Sequence, residues 1–398
     1  MKRYVIIGNG TAGASAVGQI RKMDKEGSIT IFTREKHPFY YRPKLPEYIT
    51  GEVKLDNFTM HSLSLYKSWN ADLRLGETIV EVDPEKNEVS AEKTGKVGYD
   101  ELLIATGSSS FLPPVAGNNK FGVFTLRTID DADALIEASK KTKSAILVGG
   151  GLLGLEAGRA LVKLGLKVEV VEFMDRLLPR QLDYESAGLL QGQLEEMGFS
   201  FHLSAKAEEI GGDREAAGLF LTGGTFIDGG IVLFSAGVRP NLELAISAGL
   251  AVDKAVKVDK YMQTSKAGIW AAGDAAEFNG QPCGIWPVAM AQGAAAGASM
   301  AGKPLEYIPR APSVTLKIAG IDLVSAGSIE EQNTRTSKRF VSGNTYRKIV
   351  LEEDIIKGVI FLGSTGGANE CITAMNEGRH LGSLVEELDS GDFDFSRL

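Results

Sequence analysis

The residues that offer the most chemistry in this chain are glycines. Gly8, Gly10 and Gly13 stand in a G-x-G-x-x-G spacing within VIIGNGTAGASA, and Gly149, Gly151 and Gly154 repeat it within ILVGGGLLGLEAGRALVKLGLKVEVVE. In each copy a short apolar run precedes the glycines, a helical run follows, and a second apolar run leads to an acid. The first glycine permits a tight turn, the second lets the backbone approach a pyrophosphate, and the third lets helix and strand pack closely. The helix N-terminus adds free N–H groups and a partial positive charge for the same anion. Thr11 and Ala12, and Leu152 and Leu153, fill the positions before the third glycine and count with the binding residues. The acids, Glu35 and Glu172, are placed to accept hydrogen bonds from ribose hydroxyls. Two such units imply two different dinucleotides.

The elements that position these residues follow from the pattern. Tyr4–Ile7 and Ile29–Phe32 read as buried strands flanking a helix over Ala14–Met23. EKHPFYYRPKLPEY, rich in aromatics and broken by proline, reads as neither regular helix nor central strand. Residues 78–104 read as hairpin strands turning at Asp83–Asn87. The second half repeats this plan, with Lys167–Val171 as its second strand and further strands in FSFHLSAKAEEIGG, GLFLTGGTFIDGG and IVLFSAGVRPN. From about Tyr307 come further strands, a helix over GANECITAMNEGRHLGSLVEEL, and a tail, DSGDFDFSRL, expected to be loosely held.

Bulk properties narrow the classes. A chain of 398 residues is too long for one ordinary core and suggests about two to three domains. Lys plus Arg number 43 against 51 Asp plus Glu, a net charge of −8, with no basic block. That balance argues against nucleic acid or anionic membrane as the main partner. The first apolar run enters a glycine turn and reads as a strand rather than a signal peptide, and no run is long enough to span a membrane. Cys283 and Cys371 form no C-x-x-C or metal-spaced cluster, so no metal site is expected and the cytoplasm is the expected compartment.

Taken together, VIIGNGTAGASA, EKHPFYYRPKL, LLIATGS, LRTIDDADAL, GGGLLGLE, AGVRPN, WAAGDAAE and YRKIVLEEDIIKGVIFLG resemble the FAD- and NAD(P)H-dependent two-dinucleotide-domain reductases with a glutathione-reductase-like fold. Within them the chain is most similar to the NADH:rubredoxin reductases and the flavoprotein part of assimilatory nitrite reductase. The resemblance implies FAD on the first unit, with Gly8, Gly10 and Gly13 at its pyrophosphate and Glu35 at its ribose. It implies Arg42 against the flavin cofactor, Thr106 and Gly107 along the chain crossing, and Gly273 with Asp274 at the ribityl chain. It puts NADH on the second unit, at Gly149, Gly151, Gly154, Glu172 and Gly237. Trp286, Lys44 and Glu156 are flavin-side candidates: Trp286 opens a helix whose positive end could face the pyrimidine edge, Lys44 could supply the same charge, and Glu156 is expected to look toward the nicotinamide. No catalytic acid or base is required for hydride transfer, and none is assigned. Related ferredoxin reductases carry lysine where this chain has Glu47, a departure from the family's flavin-side ion pair.

Disulfide reductases of this family carry C-x-x-x-x-C after the first unit, and peroxide- or oxygen-reducing relatives carry a cysteine near residues 42–46, where this chain reads RPKLP. Cys283 and Cys371 are expected to be buried and inert. The expected architecture is α/β: two Rossmann-like (glutathione-reductase-type) domains plus a C-terminal α+β domain. The expected boundaries are FAD 1–110 and 241–308, NADH 111–240, and C-terminal 309–398. The expected activity is electron transfer from NADH through FAD to a protein acceptor, either a rubredoxin-like carrier or a partner metalloenzyme subunit. A flavin redox switch with slow turnover and a quinone or other small-molecule reductase stay open, as do homo-oligomeric and heteromeric assembly. NADH should be preferred because the Glu172 charge opposes a 2′-phosphate, although Arg176, four residues on, could pair with one. Arg42 and Lys44 are expected to give the flavin rim a local positive charge.

Overall fold

The computed structural model describes residues 1–282, 284–309, 314–331 and 334–398, so Cys283 lies outside the described residues. The chain divides into two compact units, Met1–Ser110 with Gly237–Pro309, and Phe111–Ala236 with Arg310–Leu398. The fold is α/β, as the glycine–helix–strand pattern requires.

The first unit is organised on a five-stranded parallel sheet in the order Ile269–Ala271, Glu101–Ile104, Arg3–Ile7, Ser28–Thr33, Ala71–Leu75. Tyr4, Val5, Ile6 and Ile7 are all buried, which is the continuous apolar pattern of a parallel strand covered on both faces. Glu101–Ile104 differs from the expectation for residues 78–104. It leaves the hairpins and enters the parallel sheet beside Arg3–Ile7, while Ile79–Asp83, Glu88–Ala91 and Gly95–Gly98 form a separate antiparallel meander.

The helix Thr11–Met23 lays Ala12, Ala16, Val17 and Ile20 in the core beneath the helix Trp286–Met300. These two helices touch backbone to backbone. A Cβ on Gly293 would lie 2.2 Å from the Ala12 carbonyl oxygen, and one on Gly297 2.5 Å from that of Ala16. The proline-broken segment also differs from expectation. It forms a 3₁₀ turn, Arg42–Lys44, and a short α-helix, Leu45–Ile49, with Pro46 in the first turn, where its missing N–H has no intrahelical partner to lose.

The second unit repeats the design with the parallel order Phe199–His202, Lys167–Val171, Ser144–Val148, Ile231–Phe234, Val123–Thr125 and its own meander, Ala207–Gly211, Gly218–Leu221 and Phe226–Asp228. The same unit includes a five-stranded antiparallel sheet, in the order Val314–Ile318, Ile321–Gly327, Ile355–Leu362, Thr345–Glu352, Arg335–Ser342. The helix Ala368–Glu377 covers it, burying Ala368, Cys371 and Ala374 against Ile349, Val359 and Phe361. Each large apolar side chain buried there contributes about 1.5–3 kcal/mol.

The long helix expected over GANECITAMNEGRHLGSLVEEL is instead broken at Gly378. That residue takes a left-handed conformation (φ +62°), and the chain resumes as a 3₁₀ segment, Gly382–Glu387. The tail is also not loose. Phe393 and Leu398 are buried, Arg347 donates to the Leu388 and Ser390 carbonyls, and its guanidinium lies 4.9 Å from the Phe395 ring centre.

Asp183 fixes this sheet to the parallel-sheet half of the second unit. One of its oxygens accepts the Ser186 N–H at 3.0 Å, capping the helix Tyr184–Glu196. The other accepts the Tyr346 hydroxyl at 2.7 Å and the Lys348 ammonium at 3.1 Å. Lys348 is buried and also lies 3.4 Å from Glu331, so losing Asp183 leaves its ammonium, away from water, with one carboxylate in place of two.

Two outcomes follow from this packing. Gly293→Val should lower the thermal midpoint, since overpacking typically costs about 1–3 kcal/mol and here the obstacle is backbone. Gly188→Ala, at an exposed position of the helix Tyr184–Glu196 with nothing within 4 Å of the new Cβ, should leave it unchanged or raise it. Equal shifts in calorimetry would contradict the helix contact. Burial of Asp183 raises its pKa, but hydrogen bonds from Ser186, Tyr346 and Lys348 bring it down to about 2. Its contribution is therefore full above the unfolded value, near 3.8, and is lost as pH falls through about 2. Asp183→Asn should be less stable at neutral pH and show a shallower loss of stability between about pH 4 and 2. Parallel acid titrations of the two proteins would refute the assignment.

Candidate functional site

Both glycine turns are built the same way. At the first, Gly8 has φ +109° and a Cβ there would sit 2.1 Å from the Ala105 carbonyl oxygen, while one on Gly13 would sit 2.0 Å from the Gly8 carbonyl. At the second, Gly149 has φ +115° with the Ser235 carbonyl 2.4 Å away, and Gly154 meets the Gly149 carbonyl at 2.5 Å. In each copy the carbonyl of a neighbouring strand's end crowds the first glycine. The N–H of Gly8 donates to Phe32 and that of Gly149 to Val171, both at 2.8 Å, which ties each turn to the next strand.

The middle glycines differ. Cβ atoms on Gly10 and Gly151 would meet nothing within 4 Å. Gly10 is extended at φ −85° and Gly151 at φ −81°, so neither backbone conformation demands glycine. Each is the N-cap of its helix, has no side-chain cap bond, and is followed by no acid in the first turn. By contrast, Ile129–Ser139 carries a capping box from Thr128 and Asp131, and Tyr184–Glu196 is capped by Asp183. Open space over bare helix N–H groups fits an anionic group, a requirement that the protein's own packing does not impose.

Around the first turn, Asn9 adds a second indication. Its Oδ1 accepts the Tyr66 hydroxyl at 2.8 Å, while its Nδ2 is buried and has no hydrogen-bond partner. An oriented, buried amide donor beside the open Gly10 position fits a polar ligand that supplies the missing acceptor. Thr11 begins the helix and Ala12 is buried under Gly293. Glu35 accepts the Tyr40 hydroxyl at 2.5 Å and is ion-paired with Arg42, so Arg42 lies at the acid expected to meet the ribose. Burial, reinforced by the Glu35 charge, pushes the Tyr40 hydroxyl well above the ordinary phenol range, so it stays a donor.

The chain crossing is held by Asn241. Its side chain donates to the Thr106 carbonyl at 2.8 Å and accepts the Ser109 hydroxyl at 2.7 Å, while the Thr106 hydroxyl donates to the Asn241 carbonyl at 3.0 Å. Gly107 takes φ +67°, and Ser108–Ser110 pairs with Val238–Pro240 in a two-stranded ribbon. Asp274 accepts the Ser108 hydroxyl at 2.5 Å. Its neighbour Gly273 (φ +76°) donates to the buried Gln292 side chain at 2.9 Å and packs on Ala12. The ribbon, Asp274 and the first glycine turn are thus brought together within one unit.

Trp286 stands in the first turn of its helix. It stacks on Phe39 at 5.4 Å between ring centres and meets Tyr41 edge-on at 4.8 Å. His61 meets the Phe39 ring at 5.0 Å, and burial lowers its pKa.

Lys44 is paired with Glu47 at 2.6 Å. The expected positive rim is corrected by these contacts: Arg42 faces Glu35 and Lys44 faces Glu47, so the four charges cancel locally. Glu47 also makes the departure from the related lysine legible, because here that position pairs with a lysine three residues earlier.

In the second unit, Glu172 accepts the Gly150 N–H at 2.6 Å and the Met174 N–H at 2.8 Å, so the acid braces the turn itself. Leu152 is half-buried and Leu153 exposed at the start of the helix Leu152–Lys163. Glu156, expected to look toward a nicotinamide, accepts the Ala319 N–H at 2.7 Å with one oxygen, beside the antiparallel sheet. Gly237, grouped by sequence with the second nucleotide site, opens the Gly237–Pro309 part of the first unit, at φ +89°. Sequence reasoning missed Asn9, Tyr66, Asn241 and Gln292. Asn241 had a signal as the last residue of AGVRPN, whereas the others depend on partners that sequence spacing does not reveal.

Residues 2–293 match the pyridine nucleotide-disulphide oxidoreductase family, and residues 312–379 match the rubredoxin NAD+ reductase C-terminal domain. The assimilatory nitrate reductase electron transfer subunit of Bacillus subtilis (strain 168) is 36% identical over 97% of this chain and 51% of its own length. The chain thus spans about half the length of that relative. The NADH-rubredoxin oxidoreductase of Clostridium acetobutylicum is 30% identical over 91% of each chain. Among solved structures, the NAD-dependent persulfide reductase from A. fulgidus superimposes with a TM-score of 0.87 at 28% identity, covering 96% of this chain and 78% of its own. The chain belongs to the pyridine nucleotide-disulphide oxidoreductase family, and its last part carries the C-terminal domain of the rubredoxin-reductase type.

The two kinds of glycine can be separated experimentally. Gly8→Ala should fail to fold or lose several degrees of thermal midpoint, since its Cβ meets a backbone carbonyl and its φ is left-handed. Gly10→Ala should keep the midpoint of the ligand-free protein while weakening flavin retention. Equal loss of ligand-free stability in the two variants would show that Gly10 is structural.

Proposed function

We propose that this chain is an NADH-dependent flavoprotein reductase that binds FAD at the first glycine turn and NADH at the second, and passes electrons to a separate redox protein. The observation that carries this reading is the duplication: two bare helix ends, each with a middle glycine facing open space, at the ends of two separate parallel sheets. Bound flavin supplies the capacity to accept a hydride from a nicotinamide and to give electrons up one at a time.

The chain's own residues bind and orient. Gly8, Gly10, Thr11, Ala12 and Gly13 cradle the FAD pyrophosphate, and the Asn9 amide supplies a donor already oriented by Tyr66. Glu35, held by Tyr40 and Arg42, accepts from the adenosine ribose, and Thr106, Gly107, Gly273 and Asp274 line the ribityl side. Trp286, stacked on Phe39, and Lys44 border the flavin. Gly149, Gly151, Leu152, Leu153, Gly154 and Glu172 hold NADH, with Glu156 and Gly237 assigned to its edge. Residues 1–110 and 241–308 act as the FAD domain, 111–240 as the NADH domain, and 309–398 as the acceptor or subunit interface. The acceptor is a rubredoxin-like carrier or a metalloenzyme subunit of the cytoplasm. The names of the Clostridium and Bacillus relatives and the match over residues 312–379 support that class.

Thiols have no assigned role. Cys371 is fully buried in the core of the antiparallel sheet, and burial pushes its thiol up to about 12. Anaerobic stopped-flow mixing with NADH should bleach the flavin in the wild type and equally in Cys371→Ser. Added rubredoxin should then be reduced faster than disulfides, peroxide or oxygen. Preferential reduction of any of those three would overturn the acceptor assignment.

A further inference from the structure

We propose that Asp175, Arg176 and Tyr184 form a clamp that withholds the Arg176 guanidinium from a 2′-phosphate, and so makes the second site selective for a nucleotide with a free ribose diol. The proposal rests on the reading of the second glycine turn as a dinucleotide site and adds the residues that set its specificity.

Arg176 stands four residues beyond Glu172, close enough in sequence to serve as a phosphate ligand. Each of its three nitrogens already donates within the protein. Nε donates to the Leu182 carbonyl at 3.3 Å, Nη1 to Asp175 Oδ1 at 3.2 Å, and Nη2 to the Pro179 carbonyl at 3.3 Å, three of the five N–H groups. The guanidinium carbon lies over the Tyr184 ring, 4.4 Å from its centre. The loop closes on itself, because the Tyr184 hydroxyl donates to the second Asp175 oxygen at 2.6 Å. Arginine suits phosphate through its planar fork of donors, and here an acid and two carbonyls take one N–H from each nitrogen while the Tyr184 ring holds the group in place.

The segment carrying the clamp is fixed relative to the turn. Leu177, Leu178 and Leu182 are buried, and the Leu177 side chain lies against Gly150, where an added Cβ would approach it to 2.8 Å. Glu172 is pinned to the same glycine by the 2.6 Å bond from the Gly150 N–H. Between acid and clamp, Phe173 and Met174 are exposed, an apolar surface at the place where the second unit's acid meets a ribose. The arrangement combines a carboxylate for a diol, an apolar surface for a base, and a cation held away. Specificity here comes from what is withheld as much as from what is offered.

The test uses the flavin-loaded protein and calorimetric binding of two probes, AMP and adenosine 2′,5′-bisphosphate, so it does not depend on turnover. The wild type should bind AMP at least about tenfold more tightly than the bisphosphate. Arg176→Ala alone should change that ratio by less than about twofold, since the side chain is not available to either probe. Asp175→Ala and Tyr184→Ala should each improve bisphosphate binding by about tenfold while sparing AMP, and the gain should vanish when Arg176→Ala is added. Asp175→Asn, which keeps the shape, should give a smaller gain of the same sign.

Selective loss of bisphosphate binding in Arg176→Ala would show that the arginine already serves a 2′-phosphate and would overturn the clamp. So would an unchanged ratio in both opening variants, or a gain that survives removal of Arg176. Failure of every variant to bind AMP, with Gly151→Val no different from the wild type, would instead withdraw the nucleotide reading of the second turn and the clamp with it.

Discussion

A strand carbonyl pressed against a glycine is the contact on which both halves of this molecule depend. Ala105 and Ser235 each bring a carbonyl oxygen to where a side chain would begin on Gly8 and Gly149, at 2.1 and 2.4 Å. Because those carbonyls sit just beyond Glu101–Ile104 and Ile231–Phe234, the contact reports that a third parallel strand is in register beside the first. The turn that frees the helix N-terminus is thus specified by sheet pairing as much as by local sequence. Glycines at the third motif position and on Trp286–Met300 extend the same logic, letting helices approach other backbones more closely than any side chain allows. Removing side chains at these points makes the core dense and leaves an exposed helix end over open space.

Electrostatics around the sites follow a second rule: charges near the presumed ligands are neutralised inside the protein before any ligand arrives. Glu35 is met by Arg42 and Tyr40, Lys44 by Glu47, and Arg176 by Asp175. These charges are half-buried except for the exposed Asp175, and pairs still open to solvent contribute about 0–1 kcal/mol each to stability, so their value lies in orientation. A carboxylate whose direction is fixed can accept a ribose hydroxyl without losing side-chain freedom at the moment of binding. The same pairing removes the local positive rim that residue types alone suggested. Salt dependence centred on Lys44 is accordingly not expected.

Legibility from sequence divided along the distance between partners. The strand–glycine–helix–strand–acid unit is written within about thirty residues, and each copy is readable because its residue types follow one another in a fixed spacing, although the strand that crowds its first glycine comes from far along the chain. Glu101–Ile104 was misassigned to the hairpins because its apolar run is equally compatible with either sheet. Only its partners, Arg3–Ile7 on one side and Ile269–Ala271 on the other, decide the matter. Asn9 and Tyr66 are 57 positions apart, and nothing in GNG announces that the asparagine will be buried with one donor unpaired. The tail was misread for a related reason. Phe393, Phe395 and Leu398 carry too weak a pattern alone, but Arg347 from a distant strand supplies both a cation for Phe395 and donors for the Leu388 and Ser390 carbonyls. Glu156 shows the same limit. Its place one turn into the helix is legible, but its contact with the backbone of Ala319, 163 positions away, is not.

That last contact bears on what the antiparallel sheet does in the second unit. Glu156 and Asp183 reach it from two different helical segments, one at the edge turn near Ala319 and the other at Tyr346 and Lys348. Both acids belong to parts of the chain that also build the second glycine site, Glu156 two residues after Gly154 and Asp183 at the end of the segment containing Arg176. A helix anchored one turn past its start by Glu156 cannot shift along its axis without pulling on the sheet. A segment anchored at Asp183 likewise fixes the start of the helix that carries Tyr184, the ring beneath Arg176. The antiparallel sheet is therefore tied to the segments around the second glycine turn through two hydrogen-bonded acids. The residues that attach the last part of the chain also fix the start of the helix that carries Tyr184.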